Sequence, residues 1–381
     1  MTVQGDMLIR GGVVVDPARG YFDKADILVR GNVIAGLVAS DTIEAAKVID
    51  ASGCLVLPGL IDYHAHLFHG GTEIGIYPDS ALLPQGVTTA VDQGSAGIAN
   101  CDSFFDTVVS HSQVRIFANL HVSPAGLTTT RHPEPVDPKI FDLDLSRSLI
   151  QKQSGRLLGL KIRQSKRIVG NLGLEPLRAT VQMADAIGCR VVVHTTDPPS
   201  TTEDLASILR SGDVYTHMYQ GNGSTIVSDK GKVFQGIQAA RNRGVLFDTA
   251  DGRVHYAFSI AKAALADGFE PDIISSDVTK ASLFERSVFG LPLIMSKYLN
   301  LGLSLQSVVK ACTATPACLI GMQGKLGTLA PGSYADIAIF ELKQKPMQLQ
   351  DPFGETLSCN QAFIYKMTIL NGRIAYRDLG F

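Results

Sequence analysis

The chain has 381 residues, of which 45% are hydrophobic and 18% are charged, and its formal net charge is −2. This length is too great for one small domain and suits one large α/β domain with an accessory piece. The apolar content is high enough to fill a large buried core. Because no polybasic or polyacidic block occurs, we expect neither nucleic acid nor a membrane surface as a partner.

The sequence also gives signals about the compartment. The first 16 residues alternate like a strand and lack the basic and then apolar regions of a signal peptide. No apolar run reaches the ~18 residues that a membrane helix needs. The six cysteines form no CxxC pair: Cys54, Cys101, Cys189, Cys312, Cys318 and Cys359. These features predict a cytoplasmic protein with reduced thiols.

The two ends of the chain share one character. Residues 1–56 contain short strands punctuated by glycine and aspartate, and residues 324–381 contain similar strands such as "GSYADIAIFEL". Chain termini often lie close together in a fold. We therefore predict that both ends pair into one small β-sandwich domain, with residues 57–323 inserted between them.

The middle of the chain alternates between short apolar runs and helix-like stretches such as 175–188 and 255–268. The eight apolar runs cover residues 59–67, 88–94, 115–123, 157–163, 189–196, 213–218, 245–251 and 272–278. Continuous apolar strands separated by helices indicate a parallel sheet buried on both faces. Eight such units in ~260 residues predict a closed (β/α)₈ TIM-like barrel, with a doubly wound open sheet as the alternative.

Residues that commonly bind metals occur where these predicted strands end, which is where a barrel carries its chemistry. They are His64, His66, Lys161, His194, His217 and Asp277. Residues i and i+2 of a strand face the same side, so His64 and His66 can both point into the barrel mouth. Imidazole suits Zn²⁺, and a carboxylate adds a hard ligand.

Each of these positions has a structural alternative when it is taken alone. His194 follows an apolar run and could be a core histidine, and Asp277 could cap a following helix. Lys161 could extend to solvent from its strand end, but burial would lower its pKa and make the amine nucleophilic. Such an amine can capture carbon dioxide as a carbamate that bridges two metals. The joint placement of all six residues favours a metal centre.

The set resembles the amidohydrolase superfamily from "LPGLIDYHAHL" to "GTLAPGSYADIAIF", which is essentially the whole chain. The segments "GLKIRQSKRIVGNLGLEPL" and "GDVYTHMYQGNG" are similar to its dihydroorotase-like amidohydrolase/deacetylase branch. The resemblance implies two divalent metal ions, typically Zn²⁺, and a carbamate. The implied ligands are His64 and His66 with Asp277 at one metal, His194 and His217 at the other, and carboxylated Lys161 between them.

The resemblance further implies a hydrolase that cleaves an amide or ester bond of a small acylated carboxylate by attack of a metal-bridged hydroxide. Asp277 would accept the proton of the nucleophile and pass it to the leaving group. Arg163 shares a strand face with Lys161 and could bind a substrate carboxylate, and a structural ion pair is an equal alternative. Asn171, Tyr219 and Asn222 follow ligand-bearing strands and are weaker candidates for substrate contacts.

Several questions stay open at this point. A cyclic amidase like dihydroorotase or hydantoinase shares the same ligands, a deaminase is a further option, and a non-catalytic scaffold would be expected to lose ligands. The family also suggests a homo-oligomer. The "TADG" turn at 249–252 departs from the Gly-His-Gly-like turn of the family, which leaves the role of Asp251 open. His69 is an additional histidine without an assigned role.

Overall fold

The computed structural model describes residues 3–38, 43–285 and 288–381. Its strands are β1 Val3–Arg10, β2 Val13–Asp16, β3 Tyr21–Lys24, β4 Asp26–Arg30, β5 Val33–Val38, β6 Ile43–Asp50, β7 Leu55–Pro58, β8 Leu60–Ala65, β9 Val87–Gly97, β10 Arg115–His121, β11 Leu157–Arg163, β12 Arg190–His194, β13 Val214–Thr216, β14 Leu246–Asp248, β15 Ile337–Gln350, β16 Thr356–Leu370 and β17 Arg373–Arg377. Its α-helices are α1 Pro78–Leu82, α2 Cys101–Phe104, α3 Leu143–Lys152, α4 Lys166–Val169, α5 Glu175–Ile187, α6 Thr202–Ile208, α7 Gln235–Asn242, α8 Phe258–Ala266, α9 Leu291–Asn300, α10 Leu305–Ala311 and α11 Ala314–Leu319. Short 3₁₀ helices occur at Pro17–Arg19, Leu83–Gln85, Pro138–Ile140 and Gly170–Leu172, and a π-helical turn occurs at Phe105–Val109.

The central element is a parallel sheet of seven strands in the order β14-β13-β12-β11-β10-β9-β8. Its strands are buried on both faces, and every residue of β9 is buried. The sheet curls so that its two edges approach each other, and the segment 273–278 joins them. Asp248 of β14 makes a parallel bridge to Ile273, and Ala65 of β8 makes one to Val278. This confirms the predicted α/β fold with a buried parallel sheet.

Seven of the eight predicted strands are present, but the prediction of a continuous eighth strand at 272–278 is wrong. Asp277 has a φ of +51°, which interrupts extended geometry. The hydroxyls of Ser275 and Ser276 donate to the buried carboxylates of Asp248 and Asp62. Backbone hydrogen bonds to both edges of the sheet accompany these side-chain contacts, so the segment closes the sheet without forming a continuous strand in the described residues.

Local sequence signals set the helices that connect these strands. Pro176 lies in the first turn of α5, where a missing amide proton costs nothing, and Gly188 ends the helix with a φ of 81°. The side chain of Thr201 caps α6 by accepting a hydrogen bond from the amide of Asp204. These helices return the chain so that the carboxyl ends of the parallel strands lie along one edge.

Two further sheets are built from the ends of the chain. One has the order β5-β4-β1-β6, and the other has the order β17-β16-β15-β7-β2-β3. In the second sheet, β7 pairs antiparallel with β15 and parallel with β2. One hydrophobic cluster contains residues of both sheets, including Ile9, Val56 and Ile339. The division of the chain into domains at 56/57 and 323/324 stays a prediction.

Two observations bear on the environment of the protein. Across the described ranges, no helix combines the length and apolar character needed to cross a membrane. All six cysteines are free thiols. The cytoplasmic location stays a prediction.

The contact between Asp16 and residues 328–329 should stabilise the pairing of the two chain ends. Asp16 is fully buried, and its Oδ2 accepts hydrogen bonds from the Leu329 amide at 2.8 Å and from the Thr328 hydroxyl at 2.9 Å. We expect Asp16→Ala to lower the free energy of unfolding by about 1–3 kcal/mol in urea denaturation, because it leaves buried donors unpaired. Asp23→Ala is the control, since Asp23 is exposed and accepts from the adjacent Lys24 amide. Equal losses in the two variants would contradict this interpretation.

Candidate metal centre

The first group of candidate ligands lies where the two edges of the sheet meet. His64 is in β8, His66 follows that strand directly, and Asp277 lies on the bridging segment. Oδ1 of Asp277 is 3.6 Å from Nε2 of His64 and 3.3 Å from Nε2 of His66. All three side chains are buried, and each offers one ligand atom within 4.8 Å of the others. The structure thus brings together the three residues that the family resemblance implied for one metal.

Each histidine of this group has its other ring nitrogen engaged. Nδ1 of His64 lies 3.4 Å from Oδ2 of Asp248, and Nδ1 of His66 lies 3.1 Å from the hydroxyl of Ser95. Burial raises the pKa of Asp248 to about 8. Such contacts fix the orientation of an imidazole and leave Nε2 directed at the centre, as in metal sites.

The second group consists of His194, His217 and His255. His194 ends β12, His217 follows β13 directly, and His255 precedes α8. The ring centroids are 4.4 Å apart for His194 and His217, 4.9 Å for His194 and His255, and 4.3 Å for His217 and His255. The predicted helix at 255–268 begins only at Phe258, which leaves His255 in the preceding turn. No strand end or periodic pattern marks His255 in the sequence.

These imidazoles are suited to binding a cation. Burial lowers the pKa of His194 and His217 well below the ordinary value, and burial lowers the pKa of His255 to about 4. The rings are therefore neutral near pH 7 and keep a lone pair. Nδ1 of His217 is 2.7 Å from the carbonyl oxygen of Ala250. A carbonyl can only accept, so Nδ1 carries the proton and Nε2 carries the lone pair.

Asp277 lies between the two groups. Its Oδ1 faces the first group, while its Oδ2 is 3.8 Å from Nε2 of His255. The rings of His64 and His217 are 5.3 Å apart, so the groups are adjacent. A Cβ atom at Gly252 would lie 2.5 Å from Oδ2 of Asp277, and Gly252 has a φ of +52°. Any other residue at 252 would displace the carboxylate.

Lys161 of β11 is 1% exposed, and its Nζ has no hydrogen-bond partner. Burial is the main cause that lowers its pKa to about 7, and the nearby carboxylates of Asp277 and Asp248 act in the opposite direction. Burial is the main cause that lowers the pKa of His64, and the nearby charge of Lys161 is the second cause. A buried amine without a partner is costly, and its conversion to a carbamate would turn it into an anionic ligand. The donor set therefore fits two divalent ions and a carboxylated lysine.

Arg163 forms the ion pair that the sequence offered as one of its two alternatives. Its Nε is 3.3 Å from Oε1 of Glu134, and its side chain is 24% exposed. Nε2 of His121 lies 3.7 Å from the same oxygen. Glu134 lies outside the strands and helices, in the segment after β10, where the sequence has no signal for a site residue.

The three weaker candidates are not brought together around the centre. Asn171 is exposed on a short 3₁₀ helix. Asn222 is half-buried, and its backbone amide donates a hydrogen bond to the side-chain oxygen of Gln220. Tyr219 is fully buried, and its hydroxyl donates to the carbonyl of Phe269 at 2.9 Å. This use of the hydroxyl inside the core argues against Tyr219 as a substrate contact.

The structure also gives contacts for the two residues without a role. His69 stacks on Tyr77 with ring centroids 3.8 Å apart, and both line an outer cavity of about 580 Å³. Asp251 is fully buried and binds Nζ of Lys297 at 2.7 Å and the hydroxyl of Tyr298 at 2.8 Å. Asp251 therefore anchors the turn whose Ala250 carbonyl holds His217.

Comparison with known proteins agrees with this architecture. The sequence matches the amidohydrolase family over residues 47–117 and 164–376. It is 34% identical to a deacetylase of Agrobacterium fabrum over 342 residues, which cover 89% of this chain and 83% of that protein. A crystal structure described as an adenine deaminase has a TM-score of 0.89 and 27% identity, covering 98% of this chain and 100% of that one. A crystal structure described as a dihydroorotase has a TM-score of 0.88 and 31% identity, covering 97% of both chains. This chain belongs to the amidohydrolase family of enzymes.

Proposed function

We propose that this chain is a binuclear metal-dependent hydrolase that cleaves the amide or ester bond of a small acylated carboxylate. The observation that carries the proposal is the pair of adjacent ligand groups, one of which contains Asp277 while the other faces its second oxygen. Zn²⁺ is the ion that suits this donor set best. Two such ions would supply Lewis-acid activation of water and of the scissile carbonyl.

The ligands divide between the two positions. His64 and His66 with Asp277 would hold one ion, and His194 and His217 would hold the other. Lys161, as a carbamate, would lie between them. Its buried Nζ supports this role, because no hydrogen bond offsets the burial of that atom.

Asp277 is the proposed acid and base. It is 7% exposed, and its two oxygens face different groups, so one carboxylate can accept a proton from the attacking water and return it to the leaving nitrogen or oxygen. Arg163 would bind the substrate carboxylate through its terminal nitrogens, while its Nε lies 3.3 Å from the Glu134 carboxylate. The deacetylase relative supports a linear acyl substrate.

A cyclic amidase is the second candidate, and the similarity to a dihydroorotase structure favours it. Both candidates use the same ligands, so the substrate must separate them. We expect the zinc-loaded protein, supplied with bicarbonate, to release acetate from N-acetyl amino acids or O-acetyl hydroxy acids. Opening of the dihydroorotate and hydantoin rings, followed by the loss of ultraviolet absorbance, is the comparison, and ammonia release from adenine tests a deaminase. Turnover of the rings alone would establish the cyclic amidase.

The carbamate role of Lys161 can be tested separately. We expect Lys161→Ala to bind fewer than two equivalents of zinc and to lose turnover by at least about 100-fold. Loss of a residue that merely contacts a metal ligand already costs about 10–100-fold, and Lys161 would be a ligand itself. Zinc content by atomic absorption and steady-state rates measure both effects. Lys262→Ala changes a surface lysine paired with Glu355 and should alter neither. A Lys161→Ala variant with both metals and full activity would refute the carbamate.

The proton-transfer role of Asp277 predicts a different outcome. Asp277→Asn keeps an oxygen of the same shape but a much weaker base, so it should retain much of the metal and lose turnover by about 10²–10⁴-fold. Zinc content and kcat should be measured on the same preparation. Near-normal kcat with full zinc would remove Asp277 from proton transfer and leave it as a ligand alone.

A further inference from the structure

We propose that His255 is a third histidine ligand of the second metal position, together with His194 and His217. Neither the strand-end pattern nor the ligand set implied by the family includes this residue. The inference rests on the binuclear centre of the proposed function and deepens it, because it changes the ligand set of one position from two imidazoles to three.

The three rings converge on one point. Their centroids are 4.3–4.9 Å apart in every pair, and one ligand atom of each lies within 4.8 Å of the other two. They come from three separate parts of the chain: the end of β12, the residue after β13 and the turn before α8. The three residues could therefore hold a single ion.

His255 is held in the same way as the other candidate ligands. Nδ1 of His64, His66 and His217 each lies beside an oxygen of the protein. Nδ1 of His255 likewise lies 2.8 Å from the hydroxyl of Thr196. Its Nε2 is 3.8 Å from Oδ2 of Asp277, which is too long for a hydrogen bond. One nitrogen is thus oriented by the protein, and the other faces the centre, as expected for a ligand.

The side chain of His255 is 20% exposed, and its ring lies against the rings of His194 and His217. Its Nε2 has the Asp277 carboxylate 3.8 Å away and makes no hydrogen bond with it. Three nitrogen ligands with an open fourth position are a common arrangement for a catalytic zinc ion. The second position would therefore retain an ion when Lys161 carries no carbamate.

Zinc titration of the metal-free full-length protein against a chromogenic chelator tests this inference. We expect His255→Ala to raise the dissociation constant of one of two zinc ions by at least about 10–100-fold. Thr196→Val, which removes only the orienting hydroxyl, should raise the same constant by about 10-fold. His69→Ala is the matched control, because it removes a histidine that stacks on Tyr77 outside both groups. Its constants should equal those of the unaltered protein.

Two further measurements complete the test. Lys161→Ala should keep one zinc ion, and Lys161→Ala combined with His255→Ala should lose it. Zinc X-ray absorption should show fewer coordinated imidazoles in His255→Ala, and circular dichroism of the metal-free variants should match the unaltered protein.

The outcomes separate this inference from the proposed function. If the unaltered protein binds no zinc, both fail. If it binds two ions and His255→Ala binds two with unchanged constants, the third ligand is wrong while the binuclear centre stands. A raised KM with those unchanged constants would instead make His255 a substrate contact.

Discussion

Closure of the central sheet and assembly of the centre depend on the same residue. The amide of Asp277 donates to the carbonyl of His64 at 2.8 Å, which joins the bridging segment to β8. The side chain of Asp277 then lies between the two histidine groups. If the sheet stayed open, Asp277 would lie away from β8 and would be separated from His64 and His66. The geometry of the centre is therefore a consequence of how the parallel sheet closes.

The centre concentrates polar groups where burial is costly. Lys161 has no hydrogen-bond partner, and burial favours the neutral forms of Asp248 and of the imidazoles. Proteins usually avoid such groups in a core or satisfy them completely. Natural sequences accept local conflict of this kind at functional sites, where a bound group supplies the missing interactions. An ion that binds only the folded state would also stabilise the fold.

The sequence predicts those site residues that belong to the regular pattern of a β-strand. The i, i+2 spacing of His64 and His66 and the apolar run before His194 place these residues at strand ends, because burial and strand geometry leave few alternatives. Residues in turns have no such pattern. The sequence therefore gives no signal for His255 or Glu134, and it places Tyr219 among the weaker candidates for substrate contacts although the Tyr219 side chain is fully buried. The prediction of a continuous eighth strand is wrong for a related reason, since the positive φ of Asp277 interrupts extended geometry and no apolar pattern signals it.

The turn at 249–252 shows how a distant part of the chain supports the centre. The carboxylate of Asp251 is fixed by Lys297 and Tyr298 of α9, and the Ala250 carbonyl beside it orients His217. Helix α9 is itself bound to β16, where the amide of Phe363 donates to the hydroxyl of Ser296 at 3.0 Å. A continuous set of contacts thus runs from a sheet built by the C-terminal part of the chain to a candidate ligand. An aspartate in this turn has a structural reason, because the buried ammonium of Lys297 requires a carboxylate within hydrogen-bond distance.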